Sequence, residues 1–460
     1  MENFLLILAG DIARRLLGFL AVAFLARKIG AEGFGIINIG FAVLSYTLMA
    51  SSAGLHSLGT REIAKGNSDD IVGDIIGLRI LLSGAAILLT LCVVLFTTNS
   101  QIAIVIVIFN FTLIPQAFFL DWYYQGKERM GNIVASKILG AAVYVLSLYF
   151  LIQPGGDLRR VGYCVVLGDI VAAAGFVIQY VRSHGMPRIR FNLSIFGDLL
   201  RQSIPMATGS MLGNLSINFP AIAIGYFMTN TDVGIYSAAV KLVFFLLMFD
   251  RVIGALLLPA SARIHKHAPE DFVDRLQMTI KWIIIIALSC SLGAVLIAKK
   301  IILLIYGGQY IGSVLILQIG IWYFFFTLVH TVFATGLIAI NKEKLYGKIM
   351  TVSTAVYVIT IVLGIKYFGV AGAVGAVVFS ELLTVILLWQ SFNKFIAFSL
   401  PPGLLKIFVS AVIMSVIVFF LSDQPVFLDI VLGAAVYIIL LFITRAVTSA
   451  ELLTLIMRET

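Results

Sequence analysis

Fourteen long apolar runs, separated by short polar segments, divide this sequence. A helix of about 20 apolar residues spans the hydrocarbon core of a bilayer, and each run is near this length. Of the 460 residues, 61% are hydrophobic and 12% are charged, whereas soluble domains carry roughly 25% charged residues. The sequence therefore predicts an all-α polytopic membrane protein and excludes a soluble enzyme and a nucleic-acid-binding protein. The predicted spans lie near residues 4–26, 35–57, 75–97, 102–121, 133–152, 161–181, 203–228, 233–258, 279–298, 311–336, 347–365, 370–390, 404–421 and 426–446.

Basic residues are distributed unevenly between the two sides of the predicted membrane. The segments after even-numbered runs carry most of the lysines and arginines that lie outside the runs, for example Lys127 and Arg129 after the fourth run. Cytoplasmic loops of membrane proteins are enriched in these two residues. We therefore expect a multi-pass protein of the cell (inner) membrane, with both termini in the cytoplasm and only short outer loops.

Four short motifs recur in the same order in the two halves of the chain, as expected for a transporter built from repeats. Residues 34–38 resemble residues 233–237, and Asp169 of span 6 aligns with Glu381 of span 12. The other two pairs are residues 126–130 with 341–345, and residues 142–145 with 355–358.

These repeats predict two parallel six-helix lobes. The first lobe covers residues 1–190. The second covers residues 191–395, and an interfacial helix around Arg188–Arg201 leads into it. Residues 396–460 hold two extra spans and a cytoplasmic tail.

Charged residues inside the predicted spans are the strongest candidates for function. Each would cost about 2.5–3.5 kcal/mol at a helix centre facing lipid, so most should face a protein interior or a water-filled cavity. Arg79 and Arg251 are close enough to a span end to reach the interface by snorkelling. Asp11 can pair with Arg15 at i,i+4, which leaves either a structural pair or an arginine that lines a substrate cavity. The full set is Asp11, Arg14, Arg15, Arg79, Asp169, Lys241, Asp250, Arg251 and Glu381.

Small polar residues form a stripe along span 7. Ser203, Ser210, Asn214 and Asn218 recur at spacings that place them on one helical face. Prolines and glycines in the same run make the helix easy to bend. The stripe indicates either a cavity-lining face or a surface for close helix packing.

Several chemistries find no support in the sequence. It contains neither the GxxxxGK[ST] motif of nucleotide hydrolysis nor the HExxH motif of zinc peptidases. The residues His265–His267 read as a solvated basic patch. We therefore expect a protein that is not an enzyme and uses no cofactor or metal.

Five motifs resemble the polysaccharide-biosynthesis flippases, the Wzx-type exporters of the multidrug/oligosaccharidyl-lipid/polysaccharide superfamily. The most specific is Asp121–Met130 (DWYYQGKERM), after span 4. Lipid II flippases of the same superfamily carry an Arg-Asp pair where this chain has Ala21 and Val22, which favours the polysaccharide branch. The other four motifs are Asp11–Phe19, Leu25–Gly35, Arg61–Ala64 and Val233–Ala239.

This resemblance implies two lobes that enclose a central cavity and work by alternating access. The implied substrate is an undecaprenyl-diphosphate-linked oligosaccharide, flipped from the inner to the outer leaflet for assembly of O-antigen, capsule or exopolysaccharide. An archaeal host would use a dolichyl carrier instead. The expected partners are the lipid bilayer, this substrate, and the glycosyltransferases and polymerase of the pathway. We expect a monomer that binds no nucleic acid.

The resemblance also suggests roles for the residues above. Arg14, Arg15 and Lys241 could hold the diphosphate, with Arg251 and Arg79 as further candidates. The side chains of Ser210, Asn214 and Asn218 would line the cavity. The candidates for binding a coupling ion are Asp11, Asp169, Asp250 and Glu381.

Two other functions stay open at this point. One is an ion-coupled drug or organic-cation antiporter of the same superfamily. The other is a membrane polysaccharide polymerase or ligase, which the short outer loops disfavour.

Overall fold

The computed structural model describes residues 2–66, 70–96, 99–421, 424–448 and 451; the side chains of 2–15, 70, 208–212 and 214–216 are outside the described set. Within these residues the chain is helical and contains no β-strand. The helices are α1 (Glu2–Ser52), α2 (Leu55–Ala64), α3 (Asp70–Val94), α4 (Ser100–Asn110), α5 (Leu113–Ala117), α6 (Asp121–Gly126), α7 (Met130–Leu151), α8 (Arg159–His184), α9 (Leu193–Phe227), α10 (Asn230–Leu246), α11 (Met248–His267), α12 (Phe272–Ile305), α13 (Ser313–Ala339), α14 (Glu343–Asn393), α15 (Leu404–Phe420) and α16 (Val426–Ile443).

Single glycines divide the two longest helices. Gly30 in α1 has φ 75° and Gly369 in α14 has φ 59°, so each interrupts a 51-residue helix at one left-handed residue. A side chain at either position would be strained. Each of these two helices therefore contains two predicted spans, 1 and 2 in α1 and 11 and 12 in α14.

Among the described residues, ten helices are long and apolar enough to cross a membrane. Two of these are the divided helices, and two further apolar helices are shorter, residues 217–227 of α9 and all of α15. Span 4 consists of α4, α5 and α6, and span 8 of α10 and α11. The prediction of an all-α protein with about fourteen transmembrane helices is confirmed.

Contacts between residues divide the chain into two compact units, Met1–Ser237 and Ala238–Thr460. In the first unit α7 packs on α8, and α1 packs on α4, α7 and α9. Close packing of α7 on α8 depends on Gly140 and Gly168, because a Cβ on either would lie within 3.0 Å of the other's carbonyl oxygen. The lobe boundaries predicted from the repeat stay a prediction.

In the second unit, α13 packs on α11, α12 and α14, and the last two helices pack on α12. Ion pairs near the two ends of α12 join it to this C-terminal part. Lys281 bonds Glu451 at 2.7 Å, and Lys300 pairs with the buried carboxylate of Asp429. A shared apolar cluster that includes Ile407, Met414 and Tyr437 lies at this interface.

The expected interfacial helix is only partly helical. Helix α9 begins at Leu193, where the side chain of Asn192 accepts hydrogen bonds from two backbone N–H groups. Residues 186–192 are not helical. Pro187 disfavours a helical conformation for the residue before it, and Asn192 is a strong N-cap, so the helix starts later than predicted.

Candidate functional site

The first unit contains a cavity of about 500 Å³ among α1, α5, α7 and α8 and the start of α6. Polar groups inside a bundle this apolar are costly unless they are bonded or reach water. The polar side chains that line the cavity are Gln116, Asp121, Lys137, Tyr144 and Asp169. The cavity is therefore the candidate polar site of this unit.

Asp169 of α8 accepts a hydrogen bond from the amide of Gln116 in α5, at 2.9 Å between Nε2 and Oδ2. Gly168 beside it lets α8 approach α7, because a Cβ there would lie 2.9 Å from the Cβ of Tyr144. The carboxylate therefore points into the bundle, as the sequence predicted for an intramembrane acid.

Asp121, the first residue of the DWYYQGKERM motif, forms an ion pair. Its carboxylate lies 2.7 Å from Lys137 Nζ and 3.5 Å from His56 Nε2. Arg79 lies nearby and donates a hydrogen bond to the carbonyl of Phe119 at 2.9 Å. Because the chain is not helical at Phe119 and Leu120, between α5 and α6, Arg79 binds a carbonyl at the break in span 4.

The second unit contains a cluster of acids around a histidine. His330 Nδ1 of α13 lies 2.7 Å from Glu381 Oε1 of α14. Asp250 of α11 accepts a hydrogen bond from Thr331 and interacts electrostatically with His330, Glu381 and Arg251. Three membrane helices thus bring two carboxylates and one imidazole together.

The Asp169–Gln116 pair and the Glu381–His330 pair occupy equivalent positions in the repeat. Asp169 and its partner Gln116 are 53 residues apart in sequence, and Glu381 and its partner His330 are 51 apart. In each unit the acid lies on the last span of the repeat and its partner lies two spans earlier. This arrangement agrees with the alignment of Asp169 with Glu381.

Five predicted site residues have side chains outside the described set, although the helices α1 and α9 run through them: Asp11, Arg14, Arg15, Ser210 and Asn214. The remaining basic candidates are described. Lys241 is half-buried in α10, and Arg251 is exposed on α11.

Two residues of the span 7 stripe contact span 2. Asn218 donates a hydrogen bond to Ser45 Oγ of α1 at 3.0 Å. The carbonyl of Ser203 faces Gly54, where a Cβ would lie 2.2 Å from that oxygen. At these two positions the stripe serves helix packing.

Sequence reasoning missed the neutral partners of the acids. Gln116 and His330 lie within spans 4 and 10, where a search for formal charge passes over them. Their spacing from Asp169 and Glu381 follows from the repeat, so a search for polar residues conserved between the two repeats would have found both.

A family model described as polysaccharide biosynthesis protein matches residues 1–265. The "Probable low-salt glycan biosynthesis flippase Agl15" of Haloferax volcanii is 21% identical to this chain, over 83% of this chain and 81% of its own length.

Solved structures share the fold. The lipid II flippase MurJ, in an inward closed conformation, aligns with a TM-score of 0.74 at 14% identity, over 96% of this chain and 99% of its own. An inward-facing multidrug resistance transporter of the MATE family aligns with a TM-score of 0.60 at 15% identity, over 83% of this chain and 96% of its own. The chain therefore has the fold that these two transporters share.

Proposed function

Because the chain belongs to the polysaccharide biosynthesis protein family, we propose that it is a flippase for a polyprenyl-diphosphate-linked oligosaccharide, which it moves from the inner to the outer leaflet by alternating access. The observation that carries this proposal is the relative from Haloferax volcanii, named as a flippase of glycan biosynthesis and matched over most of both chains. The fold shared with a lipid II flippase adds support.

The substrate's diphosphate is the part that needs a protein. A multiply charged group cannot cross about 30 Å of hydrocarbon unaided. In our proposal Arg14, Arg15 and Lys241 hold it by charge-assisted hydrogen bonds, with Arg251 as a further contact. Arg79 is a weaker candidate, because its guanidinium already binds the Phe119 carbonyl. The sugar would occupy an aqueous pathway while the prenyl tail stays in lipid.

The carboxylates Asp169 and Glu381, with their hydrogen-bond partners, are the proposed sites at which ion binding is coupled to transport. The sequence contains no nucleotide-binding loop that could supply the energy instead. The His330–Glu381 pair places an ionisable imidazole 2.7 Å from a carboxylate, a combination that can carry a proton, and Asp250 interacts electrostatically with both groups. Asp169 with Gln116 would be the equivalent site of the first unit. Asp11 is a further candidate.

We also propose that both termini are cytoplasmic and that the protein lies in the cell (inner) membrane. The positive-inside rule applied to Lys127, Arg129 and the other even-numbered segments supports this orientation. Labelling a cysteine introduced at the neighbouring exposed residue, Lys127→Cys, tests it. An impermeant reagent should fail to label that cysteine in intact cells and should label it in permeabilised cells.

The function itself is tested by deleting the gene and restoring it. The deletion should abolish surface polysaccharide and leave the lipid-linked oligosaccharide in the inner leaflet, and the intact gene should reverse both effects. If single repeat units instead reach the outer surface without being polymerised, the protein acts after flipping and the proposal fails.

A second candidate function is export of drugs or organic cations, because the chain also shares the fold of a MATE family multidrug transporter. That function predicts higher drug susceptibility in the deletion strain with normal surface polysaccharide. The flippase proposal predicts the opposite pair of results.

A further inference from the structure

The segment between the sixth and seventh spans is held against α3 through its backbone. The carbonyl oxygens of Arg188 and Arg190 face Gly73 and Gly77 of that helix. A Cβ on Gly73 would lie 1.9 Å from the oxygen of Arg188, and one on Gly77 would lie 2.5 Å from that of Arg190. Only glycine admits a backbone this closely.

The same contacts give the direction of the segment. Two residues of extended chain advance about 6.6 Å and four residues of α-helix advance about 6 Å, so the segment runs alongside the first turns of α3. Carbonyls of alternate residues then face the helix, and side chains alternate between the two other faces. Arg188 and Arg190 fall on one face, and Ile189 and Phe191 on the opposite one.

Large apolar side chains in this segment are exposed beside the arginines. The exposed fractions are 79% for Met186, 64% for Phe191 and 78% for Leu193. Arg188 and Arg190 are also exposed. A surface that combines exposed basic and apolar groups at the end of membrane spans is typical of binding to an anionic lipid surface.

The position of the segment along α3 agrees with that partner. Gly73 and Gly77 lie about 5 and 10 Å along α3 from its start at Asp70, a range that covers the headgroup layer of about 5–7 Å in each leaflet and the acyl boundary below it. A soluble protein partner would have to displace lipid from Met186, Phe191 and Leu193.

We propose that residues 186–193, here called the α3 strap, bind the headgroups of anionic phospholipids in the inner leaflet. The arginine face contacts the lipid phosphates and the apolar face enters the acyl boundary. This proposal depends on the cytoplasmic orientation proposed above and not on the transported substrate.

The test uses native mass spectrometry to measure how tightly the purified full-length protein binds short-chain phosphatidylglycerol. The variant Arg188→Gln/Arg190→Gln should bind it more weakly, by about fivefold for each arginine lost, and should bind short-chain phosphatidylcholine as wild type does. The matched control is Arg263→Gln/Lys266→Gln, which removes two exposed charges at the end of α11 and should keep wild-type affinity.

The proposal is wrong if the strap variant binds phosphatidylglycerol as tightly as wild type, or if the control variant loses as much affinity as the strap variant. It is also wrong if the same arginines bind farnesyl diphosphate or inorganic phosphate more tightly than phosphatidylglycerol. A second variant, Gly73→Ala, moves the strap without changing charge and should also weaken phosphatidylglycerol binding. Full binding by a folded Gly73→Ala protein would also contradict the model.

The experiment separates the strap from the flippase proposal because it requires no transport. Normal export by a protein whose strap binds no lipid contradicts the strap alone. A protein that binds phosphatidylglycerol normally but has lost flippase function does not contradict the proposal that the α3 strap binds this lipid.

Discussion

Gly35 of α1 and Gly234 of α10 lie at a helix crossing where each faces a backbone carbonyl of the other helix. A Cβ on Gly35 would lie 1.7 Å from the oxygen of Asn230, and a Cβ on Gly234 would lie 1.9 Å from that of Ala31. In both cases the carbonyl belongs to the residue four positions before the other glycine. The two glycines also occupy matching positions of the sequence repeat, so the crossing is symmetric in sequence and in contact.

The first prediction concerns this crossing. Gly35→Ala or Gly234→Ala should force the two helices apart, because no side chain can move to make room for a Cβ that meets backbone. Export of surface polysaccharide should fall at normal protein abundance. Gly293→Ala is the matched control, since a Cβ there meets nothing within 4 Å; alanine is the better helix former, so this protein should be at least as stable as wild type. Full export by both crossing variants would show that the crossing can open without loss of function.

A second prediction concerns the arginines of span 1. Arg14→Ala or Arg15→Ala should lower the apparent affinity for the substrate roughly ten- to a hundredfold, and export should fall as a result. This loss corresponds to about 1.5–3 kcal/mol for one charged hydrogen bond. Lysine at the same position should retain part of the function, because it keeps the charge and loses bidentate geometry. The assay is complementation of polysaccharide synthesis, with protein abundance measured in the same strains.

A control separates a structural pair from a substrate contact. If Asp11 and Arg15 only neutralise each other, Asp11→Asn/Arg15→Gln should retain export. Normal export by both single alanine variants would remove these arginines as required groups and would move the proposed diphosphate contact to Lys241 and Arg251.

A third prediction tests the acid cluster of the second unit. His330→Gln keeps a hydrogen-bonding side chain beside Glu381 but removes the ionisable imidazole. Export should fall, and what remains should lose its dependence on external pH between about 5 and 8. His267→Gln, at an exposed histidine, is the control. A His330→Gln protein with the wild-type pH profile would exclude this cluster from coupling.

A fourth prediction concerns the attachment of the last two helices. Lys300→Met should destabilise the protein by about 3–5 kcal/mol, because Asp429 is only 3% exposed and its carboxylate would lose its cation. Replacing both residues, Lys300→Met with Asp429→Leu, should recover most of that loss. Thermal unfolding in detergent measures both. If the double change destabilises the protein by the sum of the losses in Lys300→Met and Asp429→Leu alone, the pair has no coupling and the prediction is wrong.

A fifth prediction follows from Glu451, which lies outside the spans. Burial raises the pKa of this carboxyl, but hydrogen bonds from Lys281 and from the backbone N–H of Thr448 lower it by more, so the net pKa is below the ordinary glutamate value. A lowered pKa stabilises the fold above the unfolded-state pKa, and this contribution is lost as pH falls through the folded-state value. The acid-dependent loss should be smaller in Lys281→Met, when midpoints of thermal unfolding are compared across the acid range.

The fourteen spans and the repeat could be predicted because both depend on the order of apolar and charged residues in the sequence. The length of a span follows from the thickness of the bilayer, and the alignment of Asp169 with Glu381 places each acid on the last span of its repeat. The hydrogen-bond partners could not be predicted in the same way. Gln116 and His330 are neutral by formal count, and only the folded helices bring them to the acids.

Other details depend on backbone contacts that the sequence does not show directly. Arg79 looked free to reach the interface, but the break in span 4 provides a closer acceptor at Phe119. The segment before α9 looked helical because it is amphipathic. Its backbone instead packs against Gly73 and Gly77, an interaction that stabilises an extended conformation.

The single-residue breaks at Gly30 and Gly369 limit how this protein can move. One residue between two helices keeps the joined helix ends within about 8 Å of each other, because consecutive Cα atoms are 3.80 Å apart. Spans 1 and 2, and likewise spans 11 and 12, can therefore move apart only at the ends far from the connecting glycine, while the ends at the glycine stay together. Any opening on the glycine side must carry both spans of a pair together as one unit.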